Sequence, residues 1–130
     1  MTRPLILIVD GDLLIRRPLE RILALHGFDV VSAESASAAL DHLAGQPVRA
    51  AIVDLRLPQG SGRDVVAAIP PPAPVIVFSA VPAESEELAR TRPNTRLILK
   101  PFSLLMLVET LQTMLEAAGP DEPGTSAVTG

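Results

Sequence analysis

The sequence predicts an α/β protein with a doubly wound, five-stranded parallel sheet and five helices. Short apolar runs alternate with longer amphipathic segments in five rounds, which is the pattern of strands joined by right-handed crossover helices. Several apolar runs contain almost only Val, Ile, Leu and Ala, as do strands that helices cover on both faces. The 130 residues, 48% of them hydrophobic, suffice for one domain with a buried core.

The five predicted strands coincide with the apolar runs. They lie at residues 5–9, 28–32, 49–53, 74–79 and 95–99. Because the first, third and fourth runs are nearly continuous in apolar residues, we expect helices on both faces of these strands.

The five predicted helices lie at residues 13–26, 35–44, 62–69, 83–90 and 102–117. In the first, apolar residues recur at helical spacing: Ile15, Leu19, Ile22 and Leu23. Pro18 falls inside this helix and is expected to kink or delay it, because proline lacks a backbone N–H. The prolines within residues 70–74 are expected to end the third helix after barely two turns.

The last predicted helix carries apolar residues on more than one face. Its buried stripe can be supplied by Leu104, Leu107, Val108, Leu111, Met114 and Leu115. Leu105 and Met106 fall largely outside that stripe. If exposed, they would form a docking or homodimerisation face; the alternative is that they pack under the proline-rich residues 70–74 or the C-terminal segment.

Composition excludes several classes of protein. The net charge of −4 gives no support for direct nucleic-acid binding, and without cysteine there is no disulfide framework. No apolar run approaches the length of a membrane span, so we expect a cytoplasmic protein without membrane contact. Residues 1–118 are predicted to form the domain and residues 119–130 a disordered tail, with no output domain following.

Polar residues follow four of the five predicted strands. Asp10 and Asp12 follow the first strand, Asp54 the third, Ser79 the fourth and Lys100 the fifth. Ligands of an open parallel sheet bind beyond the carboxyl ends of its strands. Carboxylates from the first and third strands would suit Mg²⁺, and a lysine and a hydroxyl beside them would suit an anion. This combination is what phosphoryl transfer requires.

Each of these residues also has a plainer interpretation. Seen alone, Asp12 could equally be a helix N-cap. Ser79 could be a turn residue, and Lys100 could be a solvated surface lysine. Asp54 is harder to explain in this way, because a carboxylate that ends an apolar run is costly to half-bury. Five such residues at the same ends of successive strands favour a site.

At this point the chain resembles a response-regulator receiver domain over about residues 4–118. The resemblance is carried by the segments "ILIVDGD", "IVDLRLPQGSG", "PVIVFSA" and "LILKPF", in the family's order and at nearly its spacing. It implies a flavodoxin-like sheet of strand order 2-1-3-4-5. It also implies a phosphorylation-dependent switch that receives its phosphoryl group from a histidine kinase or histidine phosphotransfer protein and acts on a downstream target protein.

The resemblance implies a role for each matched residue. Asp54 would be the phosphoacceptor and Lys100 the lysine that pairs with the phosphoryl group. Ser79 would be the switch hydroxyl, and Ala80 the small neighbour that leaves it room. The bond before Pro101 would be cis, an uncommon geometry.

The implied cofactor is Mg²⁺, held by Asp10, Asp54 and the backbone carbonyl of Arg56. The family usually has a second acid where this chain has Gly11, and that acid is normally a direct ligand. We therefore expect weaker metal binding than is usual, partly compensated by Asp12.

A second departure lies in the fifth strand. Leu97 stands where the family has an aromatic switch residue, three positions before the lysine. An aromatic side chain cannot move there on activation, so the usual form of the switch is not available to this chain.

Two other functions fit parts of the sequence. A pseudo-receiver, which binds a partner without depending on phosphorylation, is favoured by the missing acid at Gly11. A haloacid-dehalogenase-like phosphatase would use Asp10 as nucleophile and Asp12 as general acid. The phosphatase is disfavoured because its usual threonine is replaced by Leu14 and because it leaves Asp54 unexplained.

Overall fold

The computed structural model describes residues 3–80 and 82–119, and it has one five-stranded sheet. The strand order is β2-β1-β3-β4-β5, and all neighbours are parallel. The strands are β1 Leu5–Val9, β2 Asp29–Ala33, β3 Ala50–Asp54, β4 Val75–Ser79 and β5 Thr95–Leu99. The predicted fold class and strand order are therefore confirmed.

Five helices alternate with the strands. They are α1 Leu13–Leu25, α2 Ala36–Gly45, α3 Gly62–Ala67, α4 Pro82–Thr91 and α5 Leu104–Ala118. Among these described helices none is long and apolar enough to cross a membrane. The expected tail lies outside the described residues from position 120 onward, so its disorder stays a prediction.

Strand β2 begins one residue later than predicted. Phe28 N donates to Leu23 O at 3.1 Å, so Phe28 closes the end of α1 before the sheet begins. Gly27 makes this turn possible with φ +94°, a left-handed conformation that glycine adopts at little cost.

Pro18 does not delay α1, so this part of the expectation was wrong. The helix begins at Leu13 and continues through Pro18 to Leu25. Asp12 supplies the N-cap, because its side chain accepts a hydrogen bond from Leu14 N. The cap fixes the start of the helix upstream of the proline.

Helices cover both faces of the sheet, which divides the core into two layers. In β1, Ile6 and Ile8 face the layer formed with α1 and α5, whereas Leu7 and Val9 face the opposite layer. Strands β3 and β4 are buried at every position. This pattern follows from the alternation of side chains along a strand and explains the continuous apolar runs.

The predicted stripe of α5 is confirmed. Leu107, Val108, Leu111 and Met114 are buried, and Leu104 and Leu115 pack against the same core. By contrast, Leu105 is 52% exposed and Met106 46% exposed. Both apolar side chains therefore face away from the core.

A second set of contacts lies at the opposite end of the sheet, beneath residues 70–74. Here the Arg92 guanidinium donates to Ala73 O at 2.9 Å, to Ile69 O at 3.1 Å and to Thr95 Oγ1 at 2.9 Å. None of the ion pairs found among the described residues includes Arg92. Burial lowers its pKa below the usual arginine value. Through these hydrogen bonds, Arg92 connects the proline-rich loop to the start of β5.

Candidate functional site

Two buried carboxylates lie side by side at the carboxyl edge of the sheet. Val9 and Val53 are paired in register on the neighbouring strands β1 and β3, so the residues that follow them, Asp10 and Asp54, come to the same edge. Asp10 is 1% exposed and Asp54 7% exposed. Carboxylates buried to this degree need charged or hydrogen-bonding partners.

Lys100 supplies the opposite charge. Its Nζ lies 2.8 Å from Asp54 Oδ2 and 3.1 Å from Asp10 Oδ2. Backbone groups take the other two carboxylate oxygens: Arg56 N donates to Asp54 Oδ1 at 3.0 Å and Asp12 N to Asp10 Oδ1 at 2.8 Å. All four carboxylate oxygens thus accept hydrogen bonds.

The protonation of this cluster follows from burial and pairing. Burial raises the pKa of Asp10, and the hydrogen bonds from Asp12 N and Lys100 offset only part of that rise. Burial by itself would lower the pKa of Lys100, but the hydrogen bonds to Asp54 and Asp10 outweigh it and raise the pKa above the usual lysine value. Lys100 therefore stays an ammonium at neutral pH.

Two aromatic rings support the lysine. Lys100 Nζ lies 5.1 Å from the centre of the Phe78 ring, within the range of a cation–π contact. Phe102 stacks on Phe78 with a centroid distance of 5.1 Å. Neither ring was singled out from the sequence, although both lie next to residues that were: Phe78 precedes Ser79, and Phe102 follows Lys100 by two positions.

The other predicted site residues border the same edge. Ser79 ends β4 and is 1% exposed, whereas Ala80 after it is exposed. The Lys100–Pro101 bond is cis, as the resemblance implied. Leu97 is partly buried in β5.

A cleft of about 420 Å³ opens above the carboxylates. Its lining residues are Asp10, Gly11, Asp12, Leu13, Ile15, Asp54, Arg56, Pro58 and Lys100. The cleft gives a molecule from outside access to the two carboxylates and the ammonium.

Close backbone approaches fix the loop after β3. A Cβ at Gly62 would lie 2.2 Å from Asp54 O, so only glycine fits there. This contact explains, in physical terms, the glycine eight positions after Asp54.

Comparison with known proteins adds to this geometry. The family described as "Response regulator receiver domain" matches residues 6–112. This chain belongs to the response-regulator receiver domain family. Receiver domains are signalling modules of two-component systems rather than classic enzymes, and they generally bind Mg²⁺ at their acidic site.

Several relatives share most of this receiver domain. The response regulator MprA of Mycobacterium sp. (strain KMS) is 31% identical over 129 residues, which cover 95% of this chain and 56% of the relative. The chain therefore spans little more than half the length of the curated relatives it matches.

Solved structures show the same architecture. A CheY-like response regulator receiver domain protein from Methanospirillum hungatei JF-1 superimposes with a TM-score of 0.81 at 25% identity, covering 89% of this chain and 96% of that one. The signal receiver domain of an HD domain-containing protein from Pseudomonas fluorescens Pf-5 gives 0.80 at 28% identity, covering 89% and 97%.

The residues present fit a reduced magnesium site. Asp10 and Asp54 offer two carboxylates, and Mg²⁺ is commonly held by one or two carboxylates and several waters. Across residues 3–80 and 82–119 no group of three or more acidic, His or Cys side chains is placed to hold a metal ion. The Asp12 carboxylate instead caps α1 through Leu14 N.

The place of a side chain at Gly11 is taken by a proline ring. A Cβ built on Gly11 would lie 2.5 Å from Pro58 Cδ and 2.9 Å from Pro58 Cγ. The loop after β3 would have to shift before any larger residue could fit at position 11. The position of Pro58 therefore disfavours an acidic side chain at position 11.

Proposed function

We propose that this receiver domain, spanning residues 1–118, accepts a phosphoryl group on Asp54 from a phosphohistidine of a sensor kinase or phosphotransfer protein. The observation that carries the proposal is the position of Lys100 Nζ between Asp54 and Asp10, at the floor of an open cleft. A buried carboxylate with a fixed ammonium beside it is set up to receive an anion.

In the transfer step, an Asp54 carboxylate oxygen bonds to phosphorus while the P–N bond of the phosphohistidine breaks. The leaving imidazole keeps the electron pair of that bond. Lys100 moves its hydrogen bond from the carboxylate to a phosphoryl oxygen, which stabilises the charge that develops there. The Ser79 hydroxyl donates to another phosphoryl oxygen, and the small Ala80 leaves room for it.

Mg²⁺ would be held by Asp10, Asp54 and the Arg56 carbonyl, and when bound it neutralises phosphoryl charge. Binding is expected to be weak, because Gly11 offers no ligand and the Asp12 carboxylate is engaged as a cap. Asp12 Oδ1 accepts the cap hydrogen bond, and the second oxygen of this carboxylate is the one that could reach the metal, directly or through water.

Phosphorylation is proposed to change the affinity of the face formed by α4, β5 and α5 for a target protein. Support comes from the exposed side chains of Leu105 and Met106. We propose a homodimer as one use of this face. Leu105→Glu with Met106→Glu should lower the solution mass or the affinity for the target.

Leu25→Glu is the matched control for this test, since Leu25 is 77% exposed but lies on α1. If the double variant keeps both the solution mass and the target affinity of the wild type, this use of the face is wrong.

The test of the phosphoacceptor is intact mass after incubation with acetyl phosphate and Mg²⁺. One phosphoryl group on the wild type, placed on Asp54 by peptide mapping and absent from Asp54→Asn, supports the proposal. Label placed on Asp10 would support the phosphatase. No label with acetyl phosphate or a panel of kinases would support the pseudo-receiver, the alternative that Gly11 favours.

A further inference from the structure

We propose that the Arg56 side chain is a second cation for the phosphoryl group on Asp54. In the unphosphorylated protein, Glu84 of α4 binds the Arg56 guanidinium instead. This inference rests on the proposed function. It concerns the guanidinium of Arg56, which is separate from the backbone carbonyl offered to the metal.

Arg56 is linked to both the phosphoacceptor and α4. Its backbone N donates to Asp54 Oδ1 at 3.0 Å, and the residue lines the cleft above Asp54. At the far end of the same side chain, Nη2 lies 3.0 Å from Glu84 Oε1 in the first turn of α4. One residue thus connects the reacting carboxylate to a neighbouring helix.

The contact with Glu84 is easily broken. The Arg56 side chain is 64% exposed and that of Glu84 is 35% exposed. Ion pairs this exposed contribute little to stability, because water screens the attraction and two flexible side chains must be held in place. A stronger anion nearby would therefore draw the guanidinium away.

Phosphorylation creates such an anion. Two buried carboxylates at the cleft share one ammonium, and phosphorylation replaces the single negative charge of the Asp54 carboxylate with a phosphoryl group that carries about two. Gly11 provides no acid to hold a divalent cation, so less of this charge is neutralised by metal. A guanidinium can donate two parallel hydrogen bonds to phosphoryl oxygens, which makes Arg56 a suitable partner.

The move would also change how α4 is held. Arg63 Nη2 donates to Glu84 O at 3.3 Å and lies 3.9 Å from Glu87 Oε2. When Arg56 leaves Glu84, α4 loses its contact with Arg56 and keeps its contacts with Arg63. Occupancy of Asp54 is thereby communicated to α4 without an aromatic residue at Leu97.

The test compares Arg56→Met with Arg63→Met, a control arginine of the same network that does not line the cleft. The measured quantities are the rate of Asp54 phosphorylation by acetyl phosphate at several Mg²⁺ concentrations and the lifetime of the acyl phosphate. Arg56→Met should be about tenfold slower, with the greatest deficit at low Mg²⁺, whereas Arg63→Met should stay within about twofold of the wild type.

Glu84→Gln provides an opposite variant. It releases Arg56 from its carboxylate partner, so phosphorylation should become about two- to fivefold faster, the range that corresponds to an exposed ion pair. Equal rates for wild type and Arg56→Met, or equal losses in Arg56→Met and Arg63→Met, would overturn the proposed role of Arg56. Either result would leave the proposed function of the domain intact. A wild type that takes no label would overturn the proposed function and this role with it.

Discussion

Strand β5 has a partly buried cation at each end. One cation is paired with carboxylates, and the other donates hydrogen bonds to uncharged oxygens. Lys100 follows the strand and contacts two carboxylates. Arg92 precedes the strand and donates to neutral oxygens of the backbone and of Thr95. Pairing raises the pKa of Lys100, whereas burial lowers that of Arg92.

This difference separates the proposed phosphorylation site from a set of structural contacts. Lys100 lies at an open cleft and can exchange a carboxylate for another anion. Arg92 is tied to fixed carbonyls, and its Nε is buried without a partner among the described residues. An arginine whose donors are held by fixed carbonyls stabilises the loop that carries those carbonyls.

The largest expected effect is that of Lys100→Met on phosphorylation. Without the ammonium, the developing charge on the phosphoryl oxygens loses the cation that contacts Asp54 directly, and the rate with acetyl phosphate should fall about 100-fold. Intact mass against time measures this rate. A rate within threefold of the wild type would show that Lys100 does not act on the phosphoryl group.

Arg92→Met should lower stability and leave the phosphorylation rate unchanged. It leaves Ala73 O and Ile69 O without their donor, so the free energy of unfolding should fall by about 2–3 kcal/mol. Urea denaturation measures this loss. The phosphorylation rate, measured where the variant is fully folded, should match the wild type, and a loss below about 0.5 kcal/mol would mean that the Arg92 contacts contribute little.

Gly11→Asp tests how far the metal site can be changed. The new Cβ would clash with Pro58, so the free energy of unfolding should fall by about 1–3 kcal/mol. Mg²⁺ affinity, followed by titration, should rise less than in the double variant Gly11→Asp with Pro58→Ala. If the single variant binds Mg²⁺ as tightly as the double variant, Pro58 is not an obstacle.

The smallest effect concerns alkaline pH. Lys100 is the only lysine in the sequence, which also lacks Tyr and Cys. Its pKa is raised on folding, so its contribution is complete below the unfolded value of 10.5 and is lost as pH rises through the higher folded value.

Unfolding in urea should therefore become easier above pH 10.5 in the wild type, and less so in Lys100→Met. Equal slopes in both proteins would mean that the ammonium contributes nothing to folding.

The sequence predicted the carboxylates and the lysine because one rule places them. Residues that follow parallel strands share an edge, so Asp10, Asp54 and Lys100 had to come near one another. The apolar stripe of α5 was equally accessible, since helical spacing alone separates Leu105 and Met106 from the core.

Other contacts could not be predicted in this way. The Arg92 contacts and the Arg56–Glu84 pair join segments far apart in the chain, and no local pattern says where a long flexible side chain ends. The approach of Pro58 to Gly11 depends on how two loops settle against each other. The start of β2 was misjudged because Phe28 is apolar like a strand residue but closes α1.

The contact between Gly11 and Pro58 also bears on how this site could change over generations. An acid at position 11 would meet the Pro58 ring, so it costs stability unless the loop after β3 shifts or position 58 changes as well. Each of the two residues therefore limits which replacements selection can accept at the other. In a lineage that keeps Pro58, this cost would act against a second acid at position 11 even where tighter metal binding would be an advantage.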